Sequence, residues 1–341
     1  MEIHIRWVSV REERPDRVAA IDVGTNSVRL IVAELDGFDG YRVLDDEREQ
    51  TRLGYRLRET GVVDTSNYEA TLDALQRMKV IAEGFGVEEI RTVATAALRE
   101  AVNGPELVED ALGRFGLAID VISPEEEAEL ALRSVRKHFA VTNHPTAIVD
   151  IGGGSMEVVF ITAGVIDRIH SLPLGAVRLT ERFVHSDPIS ESDLDALRDA
   201  IDRELEDSMG KPPFPTPDMI GSGGTFTAVA GMAMHDRRGE LAPVQGYSMT
   251  RAEFEHQVRR MREAPLELRR QIPGLNPERA DIILAGALAV TRLAVRLDVS
   301  RILTNDLGVR DGLVLEMISR RQSSCSGRPR GFRRLRRVAS R

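Results

Sequence analysis

The chain has 341 residues, 42% hydrophobic and 29% charged, with a formal net charge of -8 and a single cysteine, Cys325. Its length suits two globular domains better than one. No apolar run of about 18 residues could cross a membrane, and one cysteine excludes an intrachain disulfide or a cysteine-rich metal site.

Residues 1–17 read as a short N-terminal extension. An apolar patch there is soon broken by charges, without the long apolar region and small-residue cleavage site of a signal peptide. The cytoplasm is the expected compartment. Residues 18–23 and 28–35 form two strands joined by the glycine turn "DVGTNS". "YRVLDDEREQTRLG" gives a third strand leading into polar chain. Residues 64–84 carry Leu72, Leu75, Met78, Val80 and Ile81 at helical spacing before a glycine stop. "EEIRTVATAALREA" is a strand and a helix, "GPELVEDALGRFG" a helix and "LAIDVIS" a strand. "SPEEEAELALRSVRKHFA" opens a helix with Ser123 as cap, Pro124 at the first position and Glu126 three residues after the cap.

The second half repeats this logic. "TAIVDIGGGSMEVVFITAGVIDRIHSLPLG" is a run of strands with tight turns, and "SESDLDALRDAIDRELEDSM" is a helix. "PDMIGSGGTFTAVAGMAM" is strand, glycine turn and helix. "NPERADIILAGALAVTRLAVRLDV" is a long apolar helix, and "SRILTNDLGVRDGLVLEMISR" a strand, a loop and a last helix. Residues 320–341 hold nine arginines and no acid, which leaves the rest of the chain at -17. This end reads as a disordered, solvated basic tail, or as a lure for a polyanion.

Asp22 and Asp150 are 128 residues apart, each ending an apolar strand just before a glycine turn. That period is too long for a solenoid and fits duplication of an α/β domain, with a ligand cleft between the copies. Glycine lets a backbone approach phosphate closely. Main-chain N–H groups in such turns form an anion-holding concavity, to which Ser and Thr hydroxyls add donors. A carboxylate at this place would repel phosphate unless a cation lay between, so Asp22 and Asp150 imply Mg²⁺ or Mn²⁺. Glu157 shares a strand face with Ser155 and can point at the same ligand. "GSGGT", residues 221–225, opens a helix and is a third anion site; the bland alternative is a close-packed connector.

Acids also suit the first turn of a helix for reasons of the macrodipole alone. With Ala128, Ala131, Leu132, Val135 and Phe139 as the buried face, Glu126 points away from it. Glu125 and Glu127 flank that direction, and periodicity does not choose between them as general base. Arg99, early on a helix after a strand, is either a structural ion-pair partner or a bidentate phosphate ligand.

The order "DVGTNS", "TAALREAVNG", "ISPEEEAEL", "DIGGGSMEVV", "GSGGT", "RADIILAGA", "LGVRDGL" resembles the exopolyphosphatase / guanosine pentaphosphate phosphohydrolase family over roughly residues 18–318. Single motifs are shared with the wider superfamily of actin-like ATPases and sugar kinases. The resemblance implies an α/β fold of two ribonuclease-H-like, actin-like domains with a cleft between them. Domain I would hold 18–129 plus about 304–319, where the last helix crosses back, and domain II 130–303. It makes Glu127 the catalytic base. It carries phosphate binding to Gly24, Thr25, Asn26, Ser27, Arg99, Gly152, Gly153, Gly154, Ser155, Gly223, Gly224 and Thr225, and metal binding to Asp22, Asp150 and Glu157. Thr25 stands where the family commonly has Ser, Met156 where it has Thr, and Pro124 where it has Gly. The chain resembles the short members, without the helical C-terminal region of long ones.

The activity implied is Mg²⁺-dependent release of the terminal phosphate of inorganic polyphosphate, by a cytoplasmic homodimer with no nucleic-acid or membrane partner. The alternative substrate is guanosine pentaphosphate, losing its 5′-γ-phosphate. Alternatives of another class are an ATP-dependent small-molecule kinase and an actin-like nucleotide-binding scaffold.

Overall fold

A computed structural model describes residues 16–36, 40–141 and 144–326. The expected N-terminal extension therefore lies outside the described residues up to position 15. Arg17, assigned to it from sequence, instead starts the first strand.

β1 (Arg17–Val23), β2 (Val28–Leu35) and β3 (Tyr41–Glu49) form an antiparallel meander. β1 is buried almost throughout, as its unbroken apolar run demands. A short α1 (Leu57–Thr60) precedes α2 (Thr65–Gly84), which Asp64 caps by accepting the Ser66 N–H. β4 (Glu89–Ala94) returns parallel to β1, followed by α3 (Ala96–Glu100), α4 (Gly104–Phe115), β5 (Asp120–Val121) and α5 (Pro124–Arg136). The strand read over "LAIDVIS" shrinks to two residues, because it pairs only with the last two of β4.

The second half opens with another meander, β6 (Thr146–Ile151), β7 (Met156–Thr162) and β8 (Val165–Leu172). α6 (Ala176–Phe183) and α7 (Glu191–Met209) lead to β9 (Asp218–Ser222), parallel to β6, and then to α8 (Gly224–Arg238). β10 (Ser248–Thr250) and α9 (Arg251–Glu263) come next. α9 was not read from sequence, although Thr250 and Glu253 give it a full capping box. α10 (Leu266–Arg269), a 3-10 turn (Pro277–Arg279), α11 (Ile283–Arg296), β11 (Arg301–Thr304) and α12 (Val309–Ser326) complete the described chain.

The first sheet runs β3-β2-β1-β4-β5 and the second β8-β7-β6-β9-β11, with β10 added at its edge. Strand for strand the two orders correspond, as the 128-residue spacing anticipates. Two helices tie the halves together. α12 leaves β11 of the second sheet and packs Val309, Leu313 and Met317 onto Val18, Ala20 and Ile31 of the first. α5 sends Leu130 into that same cluster, but Ala128, Leu132 and Val135 into one with Ile148 and Val159 of the second sheet. A boundary drawn between 129 and 130 thus runs through a helix that serves both halves.

The basic tail needs one correction. Residues 320–326 continue α12 rather than starting a disordered end. Arg321 supports this, with Asp16 at 3.4 Å, Glu88 at 3.3 Å and Glu89 at 3.7 Å. The tail from 327 onward lies outside the described residues, and among those described no helix is long and apolar enough to cross a membrane.

Candidate active site

The β1–β2 and β6–β7 turns are built alike. The Gly24 N–H donates to the Ser27 carbonyl at 3.1 Å, and the Gly152 N–H to the Ser155 carbonyl at 3.0 Å. Asp22 pairs in register with Arg29 across one ladder, and Asp150 with Glu157 across the other. The turns meet across the cleft: a Cβ on Gly154 would lie only 2.8 Å from Thr25 Oγ1. Between them is a cavity of about 180 Å³. Asp22, Gly24, Thr25, Asn26 and Ser27 line one side, and Asp150 with Gly152, Gly153, Gly154 and Ser155 the other.

The β9–α8 turn closes the second side. Gly223 has φ +91°, and a Cβ there would sit 2.5 Å from the Ile151 carbonyl oxygen. Only glycine adopts that backbone comfortably. Gly223 and Gly224 reach the cavity, and the free N–H groups at the start of α8 suit an anion. Thr225 does not line it; its side chain is fully buried, and Thr227 does instead.

α5 sorts its three acids by direction. Glu126 accepts the Ser123 N–H at 2.8 Å in a capping box, so its role is structural. Glu125 is exposed. Glu127 is buried and faces the cavity. Arg99 stands behind it, Nη1 donating to Glu127 Oε2 at 2.9 Å and to the Ile122 carbonyl at 2.7 Å. It is engaged as an ion-pair partner and is absent from the cavity wall. Glu157 is also behind the wall, accepting from Ser171 Oγ at 2.9 Å.

The carboxylates are crowded and partly withdrawn from solvent. Burial raises Asp22, against the pull of Arg29 and Arg310. Burial and then the Asp22 charge push Asp150 up to about 6. Burial and Asp150 raise Glu157. Burial and Glu157 raise Glu127 well above the usual carboxylate range, with Arg99 opposing. Such a site favours a cation, and Asp22 Oδ1 is buried with no hydrogen-bond partner. Among the described residues no group of three or more acidic, His or Cys side chains could hold a metal alone. Mg²⁺ does not require one. It keeps several waters and binds through one or two carboxylates plus substrate phosphates. The residues present fit it.

Sequence reading missed two cations in the cleft, Arg29 on β2 and Arg279 on the 3-10 turn. Burial, then Arg310 and Arg48, lowers Arg29 to about 10. Burial, then Arg29 and Arg48, lowers Arg279 to about 9. Its guanidinium lies against Gly224, and Nε has no partner. The half-buried Arg29 and the buried Arg279 repel one another and are poised for an anion. A signal for Arg29 existed: it is a charge inside the apolar strand "VRLIVAEL", at the place matching Glu157 in the repeat. Arg279 opens "RADIILAGA", one of the stretches that carry the family resemblance, but neither spacing nor periodicity gave it a role. Thr95 and the loop Asp306–Leu307–Gly308 also line the cavity.

The chain is similar to known proteins over most of its length. The model of the Ppx/GppA phosphatase family matches residues 30–321. "Exopolyphosphatase 2" of Mycobacterium tuberculosis is 30% identical over 314 residues, covering 88% of this chain and 98% of that protein. "Guanosine-5'-triphosphate,3'-diphosphate pyrophosphatase" of Photobacterium profundum is 26% identical over 308 residues, 89% of this chain and 59% of that one. The crystal structure of the Aquifex aeolicus member of the Ppx/GppA family superposes with a TM-score of 0.75 at 30% identity, covering 90% of this chain and 99% of that one.

Proposed function

Because this chain belongs to the Ppx/GppA phosphatase family, we propose that it is an exopolyphosphatase, hydrolysing the terminal phosphoanhydride of inorganic polyphosphate with Mg²⁺ or Mn²⁺. The observation that carries this is Glu127: a buried carboxylate, raised in pKa and held by Arg99, facing a cleft walled by two matching glycine turns.

The backbone N–H groups and hydroxyls of the two turns and of the α8 start would bind the terminal phosphoryl group. Arg29 and Arg279 would balance its charge. Glu127 accepts the proton of the attacking water as the new P–O bond forms, and a carboxylate raised by burial is a stronger base than a solvated one. The bridging P–O bond then breaks, leaving phosphate and a chain shorter by one unit. Asp22 and Asp150 would hold the metal, with Glu157 behind them. When bound, the metal neutralises charge that builds up during phosphoryl transfer.

The same chemistry on guanosine pentaphosphate is a second reading, favoured by the Photobacterium relative. Phosphate release from polyphosphate, guanosine pentaphosphate and ATP, measured in parallel, decides between them. Release from polyphosphate supports the proposal. Release from the guanosine nucleotide alone replaces it. Tight ATP binding with no free phosphate would favour a kinase or an actin-like scaffold.

A further inference from the structure

The glycine turn between β6 and β7 is backed by α6. The Ala176 N–H donates to the Gly152 carbonyl at 3.0 Å, and the Val177 and Arg178 N–H groups share the Gly153 carbonyl at 3.0 and 3.1 Å. The next carbonyl, of Gly154, is taken by a side chain: Arg178 Nε donates to it at 2.8 Å. The first N–H groups of α6, which have no partner within their own helix, thus meet the carbonyls of the turn.

This fixes the other face of the turn. In a trans peptide the N–H points opposite to the carbonyl of the preceding residue, and the one cis bond among the described residues is Asp187–Pro188. The carbonyls of Gly152, Gly153 and Gly154 are turned toward α6, so the N–H groups of Gly153, Gly154 and Ser155 point away from it. None of these three N–H groups donates to a partner among the described residues, and all three residues line the phosphate cavity. Successive N–H groups set this way form an anion-holding concavity.

In the matching turn of the first half, main-chain groups do the backing: the Gly54 N–H donates to the Thr25 carbonyl at 2.9 Å and the Arg52 N–H to the Asn26 carbonyl at 3.0 Å. The second turn has Arg178 in that place, and its side chain has another partner. Arg178 Nη2 donates to Glu100, at the end of α3 in the first half. Arg99, next to Glu100, holds Glu127. One guanidinium therefore bridges the second-half turn and the helix that steadies the carboxylate. Its planar fork holds a carbonyl and a carboxylate together, which the point charge of a lysine does not reproduce.

We propose that Arg178 is a positioning residue for phosphoryl transfer: by holding the Gly154 carbonyl it aims the Ser155 N–H at the terminal phosphoryl group, and by holding Glu100 it sets that donor in register with Glu127. This rests on the exopolyphosphatase reading and deepens it. Arg178 itself touches no substrate.

The test is hydrolysis of tripolyphosphate and of long-chain polyphosphate with Mg²⁺, in wild type, Arg178→Met, Arg178→Lys and Glu100→Gln. Removing a preorganised donor outright costs about 10²- to 10³-fold in kcat, and a misaimed one should cost less, about tenfold. In Arg178→Met kcat should fall by that factor equally on both substrates, with a smaller change in KM. Arg178→Lys should recover little, since the charge returns without the fork. Glu100→Gln should cost less than Arg178→Met, because Glu100 is exposed and the Gly154 contact survives. Full recovery by lysine, or a loss confined to long chains, would make Arg178 a charge acting on the substrate and overturn the proposal. So would a loss in Glu100→Gln as large as in Arg178→Met.

A second readout does not depend on turnover. In isotope-labelled wild type the Gly154 and Ser155 amide resonances should move when inorganic phosphate is added with Mg²⁺, and the Ser155 response should shrink in Arg178→Met. If wild type hydrolyses neither substrate, the exopolyphosphatase reading fails and the amides still decide: a reduced Ser155 response in the variant supports the role of Arg178. No response in wild type, or the same response in both proteins, overturns it. Should Arg178→Met not fold, Arg178→Lys carries the same comparison.

Discussion

Arg99 reaches Glu127 with one nitrogen, Nη1 lying 2.9 Å from Oε2, while the same nitrogen holds the Ile122 carbonyl at 2.7 Å. The arginine therefore anchors the carboxylate to the chain entering α5. It stabilises the charged form of a group that burial and Glu157 would otherwise neutralise. A base needs this balance: raised, but still able to ionise.

Glu127→Gln keeps shape and removes the proton acceptor. Phosphate release should fall about 10²- to 10⁴-fold, the usual scale for a lost general base. Binding of polyphosphate, measured by calorimetry, should change little. Near-normal turnover would take the role away from Glu127.

Arg99→Met removes the cation that pairs directly with Glu127. The carboxyl pKa should rise further, so its base form appears only at higher pH. The acid limb of the kcat–pH profile should shift upward, with a lower plateau. A profile that falls in height but keeps its midpoint would mean that Arg99 does not set the charge of the base.

Asp150 links stability to pH in the metal-free protein. Its folded pKa, about 6, lies above the ordinary value of 3.8. The folded state therefore binds the proton more tightly than the unfolded chain. The stabilisation is complete below about pH 4 and lost as pH rises through about 6. Two units correspond to about 3 kcal/mol as an upper bound. Urea midpoints in chelator should drop across this window, and saturating Mg²⁺ should remove the slope. A flat profile without metal would contradict the buried-carboxylate account.

Arg279 is held at a cost to folding, since it is buried with Nε unpaired and its pKa is pushed down to about 9. Arg279→Met should raise the melting temperature by a few degrees, because an apolar isostere relieves an unpaired buried charge. It should also raise KM at least tenfold through loss of a charge-assisted contact. A lower melting temperature would show that Arg279 is structural.

Gly223→Ala places a Cβ 2.5 Å from the Ile151 carbonyl at φ +91°. The backbone term alone costs about 1–3 kcal/mol. Urea denaturation should show at least that loss, accompanied by weaker phosphate binding.

The sequence by itself determined the elements and the duplication. Apolar runs and glycine turns are local signals, so β1, β2, β6, β7 and the start of α5 were legible, as was the correspondence of Asp22 with Asp150. It left Glu125 and Glu127 undecided by periodicity, and gave Arg99 two roles. Only the tertiary structure decided these. It buried Glu127 at the cleft, left Glu125 in solvent and spent Arg99 on Glu127. It also brought in Arg279, more than 250 residues along the chain from the first turn, whose motif "RADIILAGA" gave no sign that its side chain reaches the cleft. The physical reason is that a side chain's direction and partner depend on which elements pack together. α5 shows this plainly: its facing was fixed by two sheets at once, and no window along the helix contains both.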